Sequence, residues 1–320
     1  MTDNTAAPTD QTPEDPTPRE QNPAQTRCGI IAVVGAPNAG KSTLVNRLAG
    51  SKVSIVSPKP QTTRFRIRAV VMHGAAQLVL ADTPGIFAPR RRLDRAMVAA
   101  AWESTQDADL ALLVVDARAG LTEALQSILS VLKRSRAPVW LVLNKTDLID
   151  TKKLLPLTAA LNEQIQFAET LMVSAESGDG VDRMLDMMAA HVPYGPYLFP
   201  EDDLSDLPDR MLAAEIVREQ ILRQTHQEVP HHTTVETEQW EERRDGSVRI
   251  DCTIYVGRAT QKAILIGDGG AKVKDIGRRA RTELEKLLER RVHLFLNVKE
   301  RQGWDEERAR IRAIGLEDIG

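Results

Sequence analysis

Aromatic residues are scarce in this 320-residue chain: four Trp, three Tyr and five Phe, 4% of the total. That scarcity argues against a broad aromatic carbohydrate-binding surface. Only two cysteines occur, Cys28 and Cys252, far apart and with no CxxC pair. A disulfide scaffold and a Cys-rich zinc site are both disfavoured, and a reducing cytoplasm is the expected setting. No apolar run reaches the roughly 18 residues of a membrane-spanning helix. The first twenty residues carry neither a basic n-region nor an apolar h-region, so a secretory signal is not expected. Neither sign of charge is in excess: 42 Lys and Arg stand against 45 Asp and Glu, a net charge of −3. As a total, that balance argues against a polyanion-binding protein, although a total conceals local patches.

The length fits about two domains, and 42% hydrophobic residues suffice for a sizeable core. Residues 1–27 carry five prolines and a net charge of −3, so they read as a disordered tail. From 28 to 192, short apolar runs (30–34, 77–81, 110–115, 138–143 and a weaker one at 170–173) alternate with helical patterns such as 122–134 and 181–191. That alternation predicts an α/β domain with a mostly parallel sheet. Residues 66–73 and 77–81, joined around Gly74, predict a hairpin and hence one antiparallel strand. Residues 193–208, rich in Pro, Gly and acids, read as a linker. Residues 209–301 follow the order α-β-β-α-α-β, a small α+β domain, with Leu212, Ile216, Ile221 and Leu222 close to one face of its first helix. Residues 302–320 form a C-terminal extension of mixed charge, expected to pack on the domain surface.

Three motifs carry chemistry in the first domain. Gly35-Ala36-Pro37-Asn38-Ala39-Gly40-Lys41-Ser42 fits GxxxxGK[ST] between an apolar strand and a helix, with Thr43 next. Its backbone N–H groups and the helix N-terminus suit phosphate oxygens. Lys41 suits the β- and γ-phosphates, and Ser42 suits Mg²⁺. Asp82-Thr83-Pro84-Gly85 ends a strand, where an Asp reaches Mg²⁺ through water and the Gly85 N–H meets the γ-phosphate. Asn144-Lys145-Thr146-Asp147 ends another strand. The Asp147 carboxylate matches the N1–H and 2-amino donors of guanine, which adenine does not offer together. Ser174-Ala175 follows a fourth strand, where a backbone N–H suits the guanine O6.

In this order the motifs resemble those of P-loop GTPases of the translation-factor-like class. The resemblance covers residues 29–191 and implies GTP hydrolysis with Mg²⁺ and a nucleotide-controlled switch. It places the switch threonine in Pro60-Gln61-Thr62-Thr63-Arg64, with Thr63 favoured because it directly precedes Arg, and Thr62 as the alternative. Where Ras-like enzymes place a water-orienting glutamine, this chain has Ile86, so slow intrinsic turnover is expected. GTPases of this pattern, with an Asn at the position of Asn38, use K⁺ to bridge the phosphates. The alternative is that Asn38 only stabilises the loop. The expected catalytic set is therefore Lys41, Thr63, Gly85 and Asn38.

The second domain carries Gly267-Asp268-Gly269-Gly270 between two helices, followed by a basic helix with Lys272, Lys274, Arg278, Arg279 and Arg281. A GxxG loop in that setting is the backbone clamp of a KH domain, and the element order is that of the type II form. Residues 258–301 hold twelve Lys and Arg against six Asp and Glu. Lys262, the four loop residues and the five basic residues of the following helix form the expected RNA surface. Asp268 is a departure, since an acid there repels phosphate. The two domains together, with GAPNAGKS, KPQTTR, DTPG, NKTD, the Glu238-Gln239-Trp240-Glu241 strand and IGRRAR, resemble the Era family of bacterial ribosome-assembly GTPases. The resemblance spans residues 29–301. It implies binding near the 3′ end of small-subunit (16S) ribosomal RNA and a role in 30S maturation. It also implies a cytoplasmic protein, sometimes peripheral to the inner membrane; a monomer is expected. A passive RNA-binding scaffold is the competing reading, and Lys41, Ser42 and Asp82 argue against it. His226, His231 and His232 read as loop histidines, and Glu103, Asp107 and Asp109 as surface charge.

Overall fold

The structure, a computed structural model, describes residues 26–226 and 229–317. Residues 1–25, nearly all of the expected tail, lie outside them. The first domain runs β1 (Arg27–Val34), α1 (Lys41–Ala49), β2 (Ile67–His73), β3 (Ala76–Asp82), α2 (Arg92–Gln106), β4 (Leu110–Asp116), α3 (Glu123–Leu132), β5 (Val139–Asn144), α4 (Leu154–Asn162), β6 (Glu169–Met172) and α5 (Val181–His191). Its sheet has the order β2-β3-β1-β4-β5-β6. Every pairing is parallel except β2 with β3, the expected hairpin. The apolar runs are continuous because helices cover both faces. Along β4, Leu110, Leu112 and Val114 join the core under α1 and α5, while Ala111, Leu113 and Val115 join the one under α3 and α4. Strand order reverses beside β1, so the crevice at its C-terminal end is where an open α/β sheet binds ligands.

The second domain runs α6 (Asp209–Gln224), β7 (Thr233–Glu242), β8 (Val248–Val256), α7 (Ala259–Ile266), α8 (Ala271–Leu287) and β9 (Val292–Glu300). Its sheet order is β7-β8-β9, antiparallel then parallel. The inward residues Val248, Ile250, Cys252, Ile254 and Val256 of β8 form its core with Ile276, Ala280 and Leu284 of α8. A last helix, α9 (Arg308–Ala313), follows a 3₁₀ turn at Trp304–Glu306.

Four expectations change. Residues 26 and 27 are not tail: Arg27 opens β1 opposite Ala76, and its guanidinium stacks 3.9 Å from the Tyr194 ring. The linker is fastened to the first domain. The buried amide of Gln77 accepts from Leu198 and Phe199 N–H and donates to the Phe199 carbonyl, while Val70 N–H donates to Leu204 O and Arg68 N–H to the Asp206 carboxylate. The bonds to Arg68 and Val70, with a bridge between Ala69 and Ser205, satisfy the outer edge of β2. Asp109, exposed as expected, also accepts the Ile30 N–H at 2.8 Å. The C-terminal extension packs across both domains: Trp304, Ile311 and Leu316 join Phe65, Ile67, Leu93, Ala96 and Met97 of the first.

The largest difference concerns α6. Its apolar face packs on the second domain as expected, but Glu215, Arg218, Glu219 and Gln220 on its polar side are buried too. The segment between α1 and β2, which contains the switch threonines, meets Arg218 and Glu219 there.

Candidate nucleotide and RNA-binding sites

The glycine loop curls from the end of β1 into α1. Gly40 sits at φ 94 as the N-cap of α1, and a Cβ there would lie 2.2 Å from the Asn144 amide nitrogen. Only glycine fits that backbone and that approach. Asn144 is fully buried, donates to Ala39 O (2.9 Å) and accepts the Ala175 N–H (3.0 Å). It staples the phosphate loop to the Ser174-Ala175 loop. The Ala175 N–H, expected to face a base, is thus engaged by Asn144, and Ser174 accepts the Ser177 N–H within its own loop.

Lys41 lies at the centre of the loop, buried, with its ammonium donating to Gly35 O (3.1 Å) and Ala36 O (3.0 Å). Burial pushes its pKa down to about 8, against the opposing pull of the Asp82 charge. Asp82 is itself fully buried, and burial pushes its carboxyl up despite Lys41 and the hydroxyls nearby. Ser42 Oγ and Thr63 Oγ1 are 2.8 Å apart, and Thr63 donates to Asp82 Oδ2 at 3.3 Å. Thr62 turns away, donating to Lys59 O at 2.7 Å. Of the two threonines, Thr63 therefore reaches Ser42 and Asp82. The other oxygen of Asp82, Oδ1, is buried with no partner. Thr83 donates to Val33 O (2.7 Å) and anchors the turn to β1. Gly85 lies against the phosphate loop, since a Cβ there would sit 2.9 Å from Pro37 Cα. Ile86 is buried among apolar residues, and its N–H donates to Gly35 O (3.1 Å).

A cleft of ≈ 390 Å³ runs along this loop, lined by Asn38, Lys41, Ser42, Thr43, Thr63 and Gly85, among others. Lys145 closes one side, donating to Asn38 O (2.6 Å) and to Asp116 Oδ2 (2.7 Å). Both Asn38 (φ 62) and Lys145 (φ 64) have left-handed backbones, and Asn tolerates that region better than most residues. Asp147 is exposed in the turn that follows. Asp116 and Arg118 are site residues that the motifs did not announce. Burial opposes the charge of Asp116, yet hydrogen bonds from Arg118 and Lys145 hold its carboxyl down at about 2. The signal available was an Asp ending an apolar strand parallel to the one that ends in Asn144.

The switch segment rests on the second domain. Glu219 accepts the Val56 N–H (3.0 Å) and pairs with Lys52 (2.5 Å), which also meets Glu283 of α8 (2.9 Å). Lys59 donates to the carbonyls of Leu222 and Thr225 at the end of α6. Arg64 is buried, donates to Thr233 O (2.8 Å) and lies over the Trp304 ring.

On the second domain, Gly267, Gly269 and Gly270 all have positive φ, and a Cβ on Gly267 would lie 2.7 Å from Lys272 Cβ. The loop thus presents bare backbone at the start of α8, as a phosphate clamp requires. Asp268 is exposed within it. Lys274 and Arg281 are exposed and Lys262 and Lys272 half-exposed, while Arg278 and Arg279 both pair with Asp275 (2.5 and 2.8 Å), which offsets part of their charge. Lys272 is also near enough to Lys59 for their like charges to oppose each other, which adds to burial in pushing the Lys59 ammonium down. The helix that follows the clamp loop also meets the switch segment directly, through Glu283 and Lys52. Among the described residues, no group of three His, Cys, Asp or Glu is placed to hold a metal. His231 and His232, expected in a loop, end the 3₁₀ turn Val229–His232. No described helix is long and apolar enough to cross a membrane.

Comparison with known proteins agrees with both halves. The family described as 50S ribosome-binding GTPase matches residues 30–145, and the KH domain family matches residues 228–305. The chain is 55% identical over 298 residues to the GTPase Era of Afipia carboxidovorans, covering 93% of this chain and 97% of that one. It is 53% identical over 295 residues to the GTPase Era of Bradyrhizobium diazoefficiens, covering 92% and 96%. Its structure is similar to a crystal structure of Era in complex with MgGDPNP and nucleotides 1506–1542 of 16S ribosomal RNA, with a TM-score of 0.87, 38% identity, and 91% and 99% of the two chains covered. A crystal structure of an Aquifex aeolicus Era variant bound to GDP and AlF₄⁻ aligns with a TM-score of 0.86 at 38% identity, over 91% and 99% of the chains.

Proposed function

The chain belongs to the Era family of GTPases, and from that premise we propose that it is a GTP-hydrolysing switch that binds small-subunit ribosomal RNA near its 3′ end and assists maturation of the 30S subunit. What supports this reading is that Ser42, Thr63 and Asp82 come together beside the glycine loop, and that the same chain carries a GxxG loop at the start of α8, the helix whose Glu283 pairs with Lys52 at the start of the switch segment. A protein similar over 91% of this chain was crystallised with MgGDPNP and nucleotides 1506–1542 of 16S ribosomal RNA. Matching the first domain alone points no further than a ribosome-associated GTPase; the clamp domain supports the RNA assignment.

The donor set fits Mg²⁺. Ser42, Thr63 and Asp82 offer hard oxygens, and the unpartnered Asp82 Oδ1 supplies the acceptor for a coordinated water. When bound, the ion neutralises charge on the phosphate oxygens. The residues do the rest. Loop N–H groups and the α1 N-terminus bind the phosphates, and the Lys41 ammonium offsets charge on the β- and γ-groups. The Gly85 N–H orients the γ-phosphate for in-line attack by water, releasing GDP and phosphate. Asp147 reads the guanine edge while Lys145, braced by Asp116, lies along its plane. Ile86 supplies no hydrogen bond to water, so intrinsic turnover is slow. Asn38 is the proposed aid: it would help to hold a K⁺ ion, which would supply positive charge to the phosphate oxygens. Its left-handed backbone and its carbonyl bond to Lys145 also suit a loop-stabilising role. Turnover several-fold faster in K⁺ than in Na⁺ favours the ion, and equal rates favour the loop role. A protein of this function works in the cytoplasm as a monomer; peripheral membrane association rests on the family resemblance, and cell fractionation tests it.

The switch itself is tested by titrating the 3′-terminal small-subunit RNA fragment with protein loaded with GDPNP or with GDP. Tighter binding in one state is expected. Equal affinities would remove the switch and leave a passive RNA-binding protein.

A further inference from the structure

We propose that Arg218, on the first helix of the RNA-binding domain, is a positioning residue for the GTPase site: its guanidinium fixes the carbonyls of Gln61 and Thr62 and so holds Thr63 on the metal side of the cleft. This rests on the GTPase reading above and adds to it a residue outside every nucleotide motif.

Arg218 is fully buried. Its Nε donates to Glu215 Oε1 (2.7 Å) and one Nη to Glu215 Oε2 (2.5 Å), so the carboxylate sets the plane of the fork. The fork then reaches across the domain boundary, with one Nη donating to Gln61 O (3.4 Å) and the other to Thr62 O. The next residue is Thr63, with its hydroxyl 2.8 Å from Ser42 Oγ.

The switch backbone needs such a hold. Gln61 has φ 60, a left-handed conformation that a non-glycine residue keeps only when its surroundings over-determine it. Asp94 takes its side-chain amide at 3.1 Å, and Arg218 takes its carbonyl. Arg64, just beyond Thr63, is tied to Thr233 O of the same domain as Arg218. Thr63 thus lies between two arginines, one reaching out of the second domain and one reaching into it. The dependence is mutual. A buried guanidinium that loses two acceptors is left with unsatisfied donors, so a displaced switch favours a displaced α6. Because α6 packs in one core with α8, which starts at the clamp loop, that displacement reaches the RNA surface.

The test uses the full chain without RNA and compares Arg218→Gln, Arg218→Lys and Glu215→Gln with the unsubstituted protein. Three quantities are read: the Mg²⁺ concentration that half-maximally retains a fluorescent GDPNP analogue, hydrogen exchange of residues 57–66 in that state, and kcat against KM for GTP. For Arg218→Gln, kcat falls by about tenfold to a hundredfold, the scale of a displacement of about 1 Å. The Mg²⁺ midpoint rises about tenfold, exchange in residues 57–66 speeds up, and GDP affinity changes less than about twofold, because that ligand lacks the γ-group the switch meets. Arg218→Lys keeps the charge without the fork and shows a smaller shift in the same direction. It also serves if the Gln variant does not fold. Glu215→Gln leaves the donors in place and shifts the midpoint less than Arg218→Gln. Wild-type Mg²⁺ midpoints and exchange in both Arg218 variants, with only a lower melting temperature, would overturn the proposal and leave a purely structural pair. If the unsubstituted protein retains no guanine nucleotide, the GTPase reading falls and takes this inference with it.

Discussion

The nucleotide cleft and the clamp helix are both built around positive charge, yet they hold it in opposite ways. Lys41 is buried against loop carbonyls and an equally buried Asp82, and its burial lowers its pKa to about 8. On α8, Lys274 and Arg281 stand in solvent, and Arg278 and Arg279 share Asp275. Desolvated charge acts at short range, with fixed geometry and a tuned proton affinity. Solvated charge acts at a distance set by salt and tolerates a ligand of variable path. One site is therefore shaped for a single small polyphosphate, the other for the backbone of a long strand.

Trp304 ties the two regions together. Its indole joins the cluster on α2 and the switch exit, donates to His232 O (3.1 Å), and lies beneath Arg64. Trp304→Ala is expected to cost about 3–5 kcal/mol, as deletion of a buried aromatic does, measured by denaturant unfolding. A loss below ~1 kcal/mol would mean that the two domains stand independently.

A pH titration sharpens the contrast. Polyphosphate needs the Lys41 ammonium charged, so GTP affinity is level between about pH 7 and pH 8. Above that range, affinity falls by up to about tenfold per pH unit. The Lys41 contribution to stability without nucleotide runs the other way. Its folded pKa lies below the ordinary 10.5, so the unfolded chain binds more protons between 8 and 10.5, and stability rises across that window. RNA affinity, which does not draw on Lys41, is expected to stay level from pH 7 to 9. Fluorescent nucleotide and RNA titrations on the same samples check both curves.

The smallest effects belong to single charges on the clamp. Lys274→Ala is expected to lower the slope of log affinity against log salt by about 0.7, with little change in GTP turnover. Asp268→Asn removes a repelling charge from the clamp loop and strengthens RNA binding by a few-fold at low salt. An unchanged affinity would place Asp268 away from the phosphates.

The nucleotide residues were legible because their geometry is local. Gly40 must be glycine for a reason that lies in its own backbone and in Asn144, itself part of a motif. The clamp was legible for the same reason, through Gly267 and the helix that follows it. Asp116 was not, since nothing in Asp-Ala-Arg shows that its carboxylate braces Lys145 twenty-nine positions away. Gln77 reads as one polar residue in an apolar strand, and only the folded chain shows it gripping Leu198 and Phe199. The polar side of α6 looked like an ordinary solvent face by period alone. Arg218 and Glu219 are buried because another domain supplies partners for them, and Glu215 is buried with them as the partner of Arg218.

By itself, the sequence determined two folds and the chemistry of two sites. Apolar period, glycine placement and contiguous motifs are properties of neighbouring residues, and neighbours are what a chain specifies directly. The tertiary structure alone decided which threonine faces Asp82, which charges are spent on Asp275, and how the switch is held by Arg218 and Arg64. Each of those outcomes depends on which groups, far apart in the chain, exclude water from one another. Burial of that kind turns an exposed ion pair of little worth into a constraint on a loop in another domain.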